Sequence, residues 1–189
     1  MAGVTFVVML ITAGVRATPG LFIVPLEAEF GWSTAAISAA IAINIALFGL
    51  VGPFAATLMD RLGMRRVVLG ALAAMGSAVA ISSRMTAQWQ FFVLWGVLVG
   101  MTTGVTAMVL GAIVSTQWFD RHRGLVMGML SAANATGQLI FLPLLAAIVT
   151  ASSWRVAAMV IAGVVAVVFL VVLVWMRNRP SDAGVLPYG

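Results

Sequence analysis

Six long apolar blocks separated by short breaks constrain this chain more than any other feature of its sequence. Most of them reach the roughly 20 apolar residues that an α-helix needs to cross the hydrocarbon core of a bilayer. The chain is 63% apolar and only 8% charged, whereas a soluble domain is about half apolar and a quarter charged. The pattern excludes a soluble fold and predicts an all-α integral membrane protein.

The block boundaries predict a bundle of six transmembrane helices over residues 1–176, followed by a cytoplasmic tail or linker over 177–189. The predicted helices cover residues 3–26, 34–59, 66–83, 89–116, 124–150 and 154–176. The first block lacks a basic start and carries Arg16 in its middle, so it is predicted to be a membrane helix and not a signal peptide.

Several functional classes are excluded by residues that the sequence lacks. There is no cysteine, and His122 is the only histidine, so thiolate chemistry and a histidine metal cluster are excluded. The predicted spans hold no Ser/His or paired-Asp set, and the chain has no phosphate-binding loop. The arginines form no basic stripe of the kind that binds nucleic acid. We therefore expect neither an enzyme nor a protein that binds a metal, a cofactor or nucleic acid.

The placement of the arginines predicts the orientation in the membrane, because basic residues concentrate in cytoplasmic loops. With a cytoplasmic N-terminus, the inner breaks hold Arg61, Arg65, Arg66, Arg121, Arg123, Arg177 and Arg179. The outer breaks hold only Arg84 and Arg155. Both termini are predicted to be cytoplasmic, in a plasma membrane such as the bacterial inner membrane.

Tryptophans near the segment ends are expected to mark the two membrane interfaces, where amphipathic rings are enriched. Trp32, Trp89 and Trp154 are predicted at the outer interface. Trp118 and Trp175 are predicted at the inner one.

Polar residues within the predicted spans are unevenly distributed. They are costly in a bilayer and normally face protein or water. They concentrate in spans 1, 2, 4 and 5, while spans 3 and 6 have almost none. This pattern predicts two three-helix repeats of inverted topology, residues 1–83 and 89–176, with spans 3 and 6 facing lipid or supporting the others.

Arg16 is the strongest candidate for a binding residue. It lies about 20 Å along its helix from Gly3, and no acid lies within any predicted span to neutralise it. Such an arginine can hold a substrate carboxylate through a bidentate, charge-assisted pair. The alternative is a structural arginine that bonds the carbonyls exposed at the break at Thr18-Pro19-Gly20.

Other polar side chains in the spans are candidates for the same substrate site. They are Asn44, Thr102, Thr106, Asn134 and Gln138. The alternative is that they form hydrogen bonds between helices. The glycine pairs Gly100/Gly104 and Gly124/Gly128 have the spacing of small residues at close helix contacts, and we expect that role for them.

The most specific motif is the stretch Ala56-Thr-Leu-Met-Asp60-Arg61-Leu-Gly63-Met-Arg65-Arg66. It resembles the loop between helices 2 and 3 of the major facilitator superfamily, usually written G-x-L-x-D-R-x-G-R-R. Ala56 and Met64 depart from that pattern. Gly63 is suited to a tight turn between antiparallel helices.

Two further stretches resemble loops of one branch of that superfamily. The segment from Pro25 to Ser38 and the segment from Gln117 to Gly128 are similar to loops of the monocarboxylate-porter and oxalate/formate-antiporter-like branch. The resemblance implies half of a twelve-helix transporter and an inner-face ion-pair cluster that gates it. The residues of that cluster would be Asp60, Arg61, Arg65, Arg66, Asp120, Arg121 and Arg123.

The function predicted from these features is secondary active transport of a small organic anion, such as a monocarboxylate, by alternating access. A coupling proton or a counter-anion is a further expected partner. One half cannot enclose a site at the bilayer midplane, so a second six-helix half or a second copy is expected. The alternative is a non-transporting membrane scaffold or fragment that pairs with another membrane protein, which would tolerate Arg16→Gln.

Overall fold

The computed structural model describes residues 1–119 and 121–178. In this part of the chain, six helices are long and apolar enough to cross a membrane. They are α1 (Ala2–Phe30), α2 (Thr34–Leu62), α3 (Met64–Ser82), α4 (Gln88–Trp118), α5 (Arg123–Ala151) and α6 (Trp154–Trp175). The prediction of an all-α protein with six spans is confirmed. Asp120 and residues 179–189 of the predicted tail lie outside the described residues.

The first helix is longer than predicted. It comprises Ala2–Ala17, a 3₁₀ turn over Thr18–Phe22, and a second helical piece, Ile23–Phe30. Pro25 falls in the first turn of that second piece, where its missing N–H costs no helical hydrogen bond. The prediction that span 1 ends at residue 26 is therefore wrong, and the two glutamates that follow lie on the last turns of α1 and not in a loop.

A single residue, Gly63, separates α2 from α3. Its φ of +87° lies in a region that side-chain-bearing residues rarely occupy. A Cβ at this position would also come within 3.0 Å of Asn178 Oδ1. A side chain at this position would therefore be disfavoured both by the backbone conformation and by the close contact with Asn178.

Helix α4 is interrupted near its middle. A π-helical stretch over Phe92–Val99 leads into Gly100–Val105, and the helix resumes only at Met108. Just before the break in the sequence, the hydroxyls of Thr102 and Thr103 donate to carbonyls of their own helix, at 2.8 Å in each case. Threonines that bond back to the preceding turn tend to bend a helix.

Close packing between α2 and α4 depends on glycines spaced one turn apart. A Cβ at Gly100 would lie 2.9 Å from the backbone of Asn44, and one at Gly104 would lie 2.8 Å from the carbonyl oxygen of Phe48. The close-packing prediction is confirmed for these two glycines. Gly124 and Gly128 have no such neighbours within 4 Å among the described residues, so for them close packing stays a prediction.

The helices pair as α1 with α5, α2 with α4, and α3 with α6. If α1, α2 and α3 are exchanged with α4, α5 and α6 in that order, the α1–α5 pair becomes the α4–α2 pair. The α3–α6 pair is unchanged by the exchange. The division into two inverted repeats stays a prediction, and this is the pairing that such a division would produce.

Candidate functional site

Arg16 occupies the centre of α1, fourteen residues from each end of Ala2–Phe30. Its side chain is half-buried, and its Cζ lies 4.3 Å from the centroid of the Phe48 ring on α2. This is a cation–π contact. Within the described residues, no carboxylate or carbonyl oxygen accepts a hydrogen bond from Arg16, although a guanidinium carries five N–H donors. The alternative that Arg16 is a structural residue bonded to the carbonyls at the Thr18-Pro19-Gly20 break is therefore not supported by the described residues.

The interruption of α4 lies about one helical turn from Arg16. Thr106, at the break, is fully buried, and its Oγ1 lies 3.1 Å from the Oγ1 of Thr12. Thr12 precedes Arg16 by one turn on α1. The same Thr106 hydroxyl donates to the carbonyl of Thr102 at 3.0 Å. The break is therefore attached to the middle of α1 through paired hydroxyls.

Two of the predicted site residues are used inside the bundle. Asn44 is 2% exposed, and its Nδ2 donates to the Trp95 carbonyl on α4 at 2.6 Å. Thr102 is 8% exposed and donates to the carbonyls of Leu98 and Val99. Together with Thr106, these side chains hold helices together and shape α4.

Asn134 and Gln138 are placed differently. Both are half-buried on α5, and in the described part of the chain neither forms a hydrogen bond. The same part of α5 packs against α1, because Gly137 abuts the carbonyl of Leu10 and Phe141 packs over Gly14. Gln138 therefore lies within about one helical turn of Arg16 along the bundle axis, with its amide unused.

The end of the bundle that carries the α2–α3 turn is held together by Arg65 and Asn178. Asn178 Oδ1 accepts a hydrogen bond from the Arg65 backbone N–H at 2.9 Å, and the Arg65 Nη2 donates to the Leu173 carbonyl on α6. Asp60 is exposed and forms no ion pair with an arginine among the described residues. It lines a small cavity of about 60 Å³ with Gln117 and Asn178.

Among the described residues, the predicted inner ion-pair cluster does not form around Asp60. Arg65 points to the end of α6, and Arg123 donates from Nε to the Phe119 carbonyl at 2.7 Å. Arg121 is exposed. The contribution predicted for Asp120 lies outside the described residues.

The opposite end of the bundle carries an ion pair that the sequence did not indicate. Glu29 at the end of α1 accepts hydrogen bonds from Trp154 Nε1 and Arg155 Nη1 on α6, each at 2.7 Å. Trp154 is only 2% exposed and packs 5.8 Å from the Phe22 ring. The tryptophan is thus enclosed between α1 and α6 and does not face lipid, while its predicted depth at the membrane interface stays a prediction. Trp89, at 65% exposed, fits the predicted interface position.

A family model described as Major Facilitator Superfamily matches residues 4–187 of the chain. The chain belongs to the major facilitator superfamily.

Individual relatives agree with this superfamily assignment. The chain is 27% identical over 180 residues to YcxA of Bacillus subtilis (strain 168), described as an uncharacterized MFS-type transporter. That alignment covers 95% of this chain and 44% of YcxA. It is also 29% identical over 103 residues to the MFS-type transporter hasB of Aspergillus fumigatus (strain CBS 144.89 / FGSC A1163 / CEA10), covering 52% of this chain and 22% of hasB.

Among solved structures, the fold is similar to that of the proton:xylose symporter XylE bound to 6-bromo-6-deoxy-D-glucose. The TM-score is 0.78 at 13% identity, over 94% of this chain and 44% of XylE. The likeness shows a major facilitator half fold. The chain spans under half the length of YcxA and of XylE. Relatives and fold are those of transporters, not of enzymes.

Two further features of this major facilitator half were not predicted from the sequence. The break in α4 was signalled by the threonine-rich stretch from Thr102 to Thr106, since such residues compete for helix carbonyls. The hydrogen bond from Arg65 to Asn178 had no sequence signal, because it joins residues 113 positions apart.

Proposed function

We propose that this chain forms one half of a secondary transporter, and that Arg16 binds the carboxylate of a small organic anion such as a monocarboxylate. The support is the state of the Arg16 guanidinium. It lies at mid-span and half-buried, with an aromatic ring as its neighbour and no protein acceptor among the described residues. Leaving a charge in the middle of a membrane without a partner is costly, and a carboxylate offers the matching bidentate acceptor.

Asn134 and Gln138 are the residues best placed to bind the rest of the anion. Both residues are half-buried, and their amides form no hydrogen bonds in the described region, so they are available to a substrate. Asn44, Thr102 and Thr106 do not contact the anion in this proposal, because their polar groups already donate hydrogen bonds to backbone carbonyls of α4.

A second half completes the proposed transporter. Large apolar side chains are exposed on α2 and α5, among them Ile45 and Leu50, at 61% and 63%, and Leu139 at 76%. Since the chain spans 44% of YcxA, we propose that a further six-helix half or a second copy covers these faces. Alternating access then arises from movement of one half against the other around the midplane site. A proton or a counter-anion is the proposed coupling partner.

The test is binding and counterflow of labelled lactate, pyruvate and formate on purified protein, with the partner half supplied where one exists. Arg16→Ala should lower anion affinity by about a hundredfold or more, because charged hydrogen bonds contribute roughly 1.5–3 kcal/mol each. Arg16→Lys should lose about tenfold, since an ammonium cannot reproduce the planar fork. Arg84→Gln is the matched control, because Arg84 is exposed in the turn between α3 and α4, and this variant should bind normally. Unchanged affinity in a well-folded Arg16→Ala protein would overturn the proposal.

A further inference from the structure

A groove of about 950 Å³ runs between α2, α3 and α4 on the side of the bundle that carries the Gly63 turn. Its walls are almost entirely apolar, and several of the residues that line it are exposed on the outside of the bundle, including Phe54, Leu58 and Leu62.

Two positive charges lie at one end of this groove. Arg61 and Arg66 flank the turn at Gly63, line the groove and are exposed. In the part of the chain that the structure describes, neither forms an ion pair or a hydrogen bond. Arg65 differs from both, because its side chain bonds the Leu173 carbonyl on α6. The groove therefore combines an apolar trough with two guanidinium groups that form no ion pair with a carboxylate of the described residues.

We propose that this groove is a binding site for an anionic phospholipid. The acyl chain lies along the apolar walls, and the headgroup phosphate is held by Arg61 and Arg66 at the end of the helices. Guanidinium groups bind phosphate oxygens in a bidentate manner, and basic pockets between transmembrane helices recognise anionic headgroups. An apolar helix from a second half would fill the trough but leave both arginines without a counter-charge, so charge complementarity favours the lipid. This site is separate from Arg16 and does not depend on the substrate proposed there.

The charge requirement is tested by native mass spectrometry and by lipid retention. The whole protein, with its partner half where one exists, is reconstituted in phosphatidylcholine with or without phosphatidylglycerol. The wild-type protein should retain phosphatidylglycerol selectively. A basic residue near an anionic surface contributes about fivefold in affinity, so R61Q/R66Q should weaken retention by about 25-fold. Arg121→Gln, an exposed arginine next to the α4–α5 turn and outside the groove, should retain the lipid.

The shape requirement is tested by filling the groove. Gly70 lines it, and a Cβ there meets no neighbouring atom within 4 Å, so Gly70→Leu should fold normally and displace the acyl chain. Gly163→Leu is the matched control, because Gly163 on α6 is equally open and lies outside the groove. Selective loss of phosphatidylglycerol in R61Q/R66Q and in Gly70→Leu, with both controls unaffected, supports the site. Equal retention of both lipids by the wild-type protein, as expected if protein fills the groove, would overturn it. So would undiminished selectivity in Gly70→Leu.

Discussion

At Gly137 the backbones of α1 and α5 approach so closely that a methyl group would collide with the Leu10 carbonyl oxygen. A carbonyl held in a helix cannot move aside as the end of a flexible side chain can. The position is therefore sensitive to the smallest substitution, unlike the exposed glycines earlier in the same helix.

We predict that Gly137→Ala destabilises the bundle by about 1–3 kcal/mol, the usual cost of overpacking. Gly128→Ala should be neutral or stabilising by up to about 1 kcal/mol, since alanine favours a helix over glycine and nothing lies within 4 Å of the added Cβ. Thermal unfolding in detergent, followed by tryptophan fluorescence, measures both. Equal melting temperatures for the two variants would show that α1 and α5 do not pack in this way.

Asn44 tests the division between structural and substrate-binding polar groups. Because its amide donates to the Trp95 carbonyl, Asn44→Ala should lower stability by about 1 kcal/mol, the scale measured for hydrogen bonds between membrane helices. Anion affinity should change little compared with the effect of Arg16→Ala. Ser77→Ala is the control, since this exposed hydroxyl bonds only its own helix, at Ala73. A stable Asn44→Ala protein that no longer binds the anion would instead place Asn44 in the substrate site.

At the scale of helices, α1 and α6 are joined at one end by Glu29, Trp154 and Arg155. The Arg155 guanidinium lies 2.5 Å from Glu29 Oε1 and is stacked 4.5 Å from the Trp154 ring. The two charged side chains are 38% and 37% exposed, which places the pair in the class that water and salt weaken strongly.

A double-mutant cycle of Glu29→Gln and Arg155→Gln should give a coupling of no more than about 1 kcal/mol, falling as salt is raised. Trp154→Phe should cost more than either single change, because it removes a buried indole N–H donor to Glu29. Thermal unfolding at low and high salt measures each term. A coupling that does not respond to salt would indicate that the pair is buried in the intact protein, for example under a second half.

The middle of α4 shows how an element can be weakened without a proline. Its threonine hydroxyls bond carbonyls of the preceding turn, and the helix is broken between Val105 and Met108. The attachment of Thr106 to Thr12 then couples the break to the helix that carries Arg16. A movement of α4 at this point would therefore displace the part of α1 that carries Arg16, the residue proposed to bind the substrate.

At the scale of the whole molecule, the even number of spans places both described ends on one side of the membrane. The arginine distribution predicts that this side is cytoplasmic. Because the chain has no cysteine, the prediction can be tested with single cysteines at Thr86 and Gly124, which are both exposed, at opposite ends of the bundle. Thr86→Cys should react with a membrane-impermeant maleimide in intact cells, and Gly124→Cys only after lysis. The reverse pattern would invert the topology.

The sequence by itself determined the number of spans, the all-α class and the turn at Gly63. These properties depend on runs of neighbouring residues, such as apolar blocks of membrane length or a glycine between two helices, and a linear pattern contains them in full. The central position of Arg16 also followed from the sequence, since depth in a helix is a matter of counting residues.

Only the tertiary structure decided what the polar groups bind. Asn44 and Gln138 have similar side chains in similar spans, yet the Asn44 amide bonds a neighbouring helix and the Gln138 amide forms no hydrogen bond with any described residue. Arg65 and Arg66 are adjacent, but successive residues of a helix point about 100° apart, so one bonds α6 and the other lines the groove. Such outcomes depend on which helices pair across the bundle, and α2 packs against α4 although α3 lies between them in sequence. Pairing of that kind is set by the fit of distant surfaces, which no local pattern records.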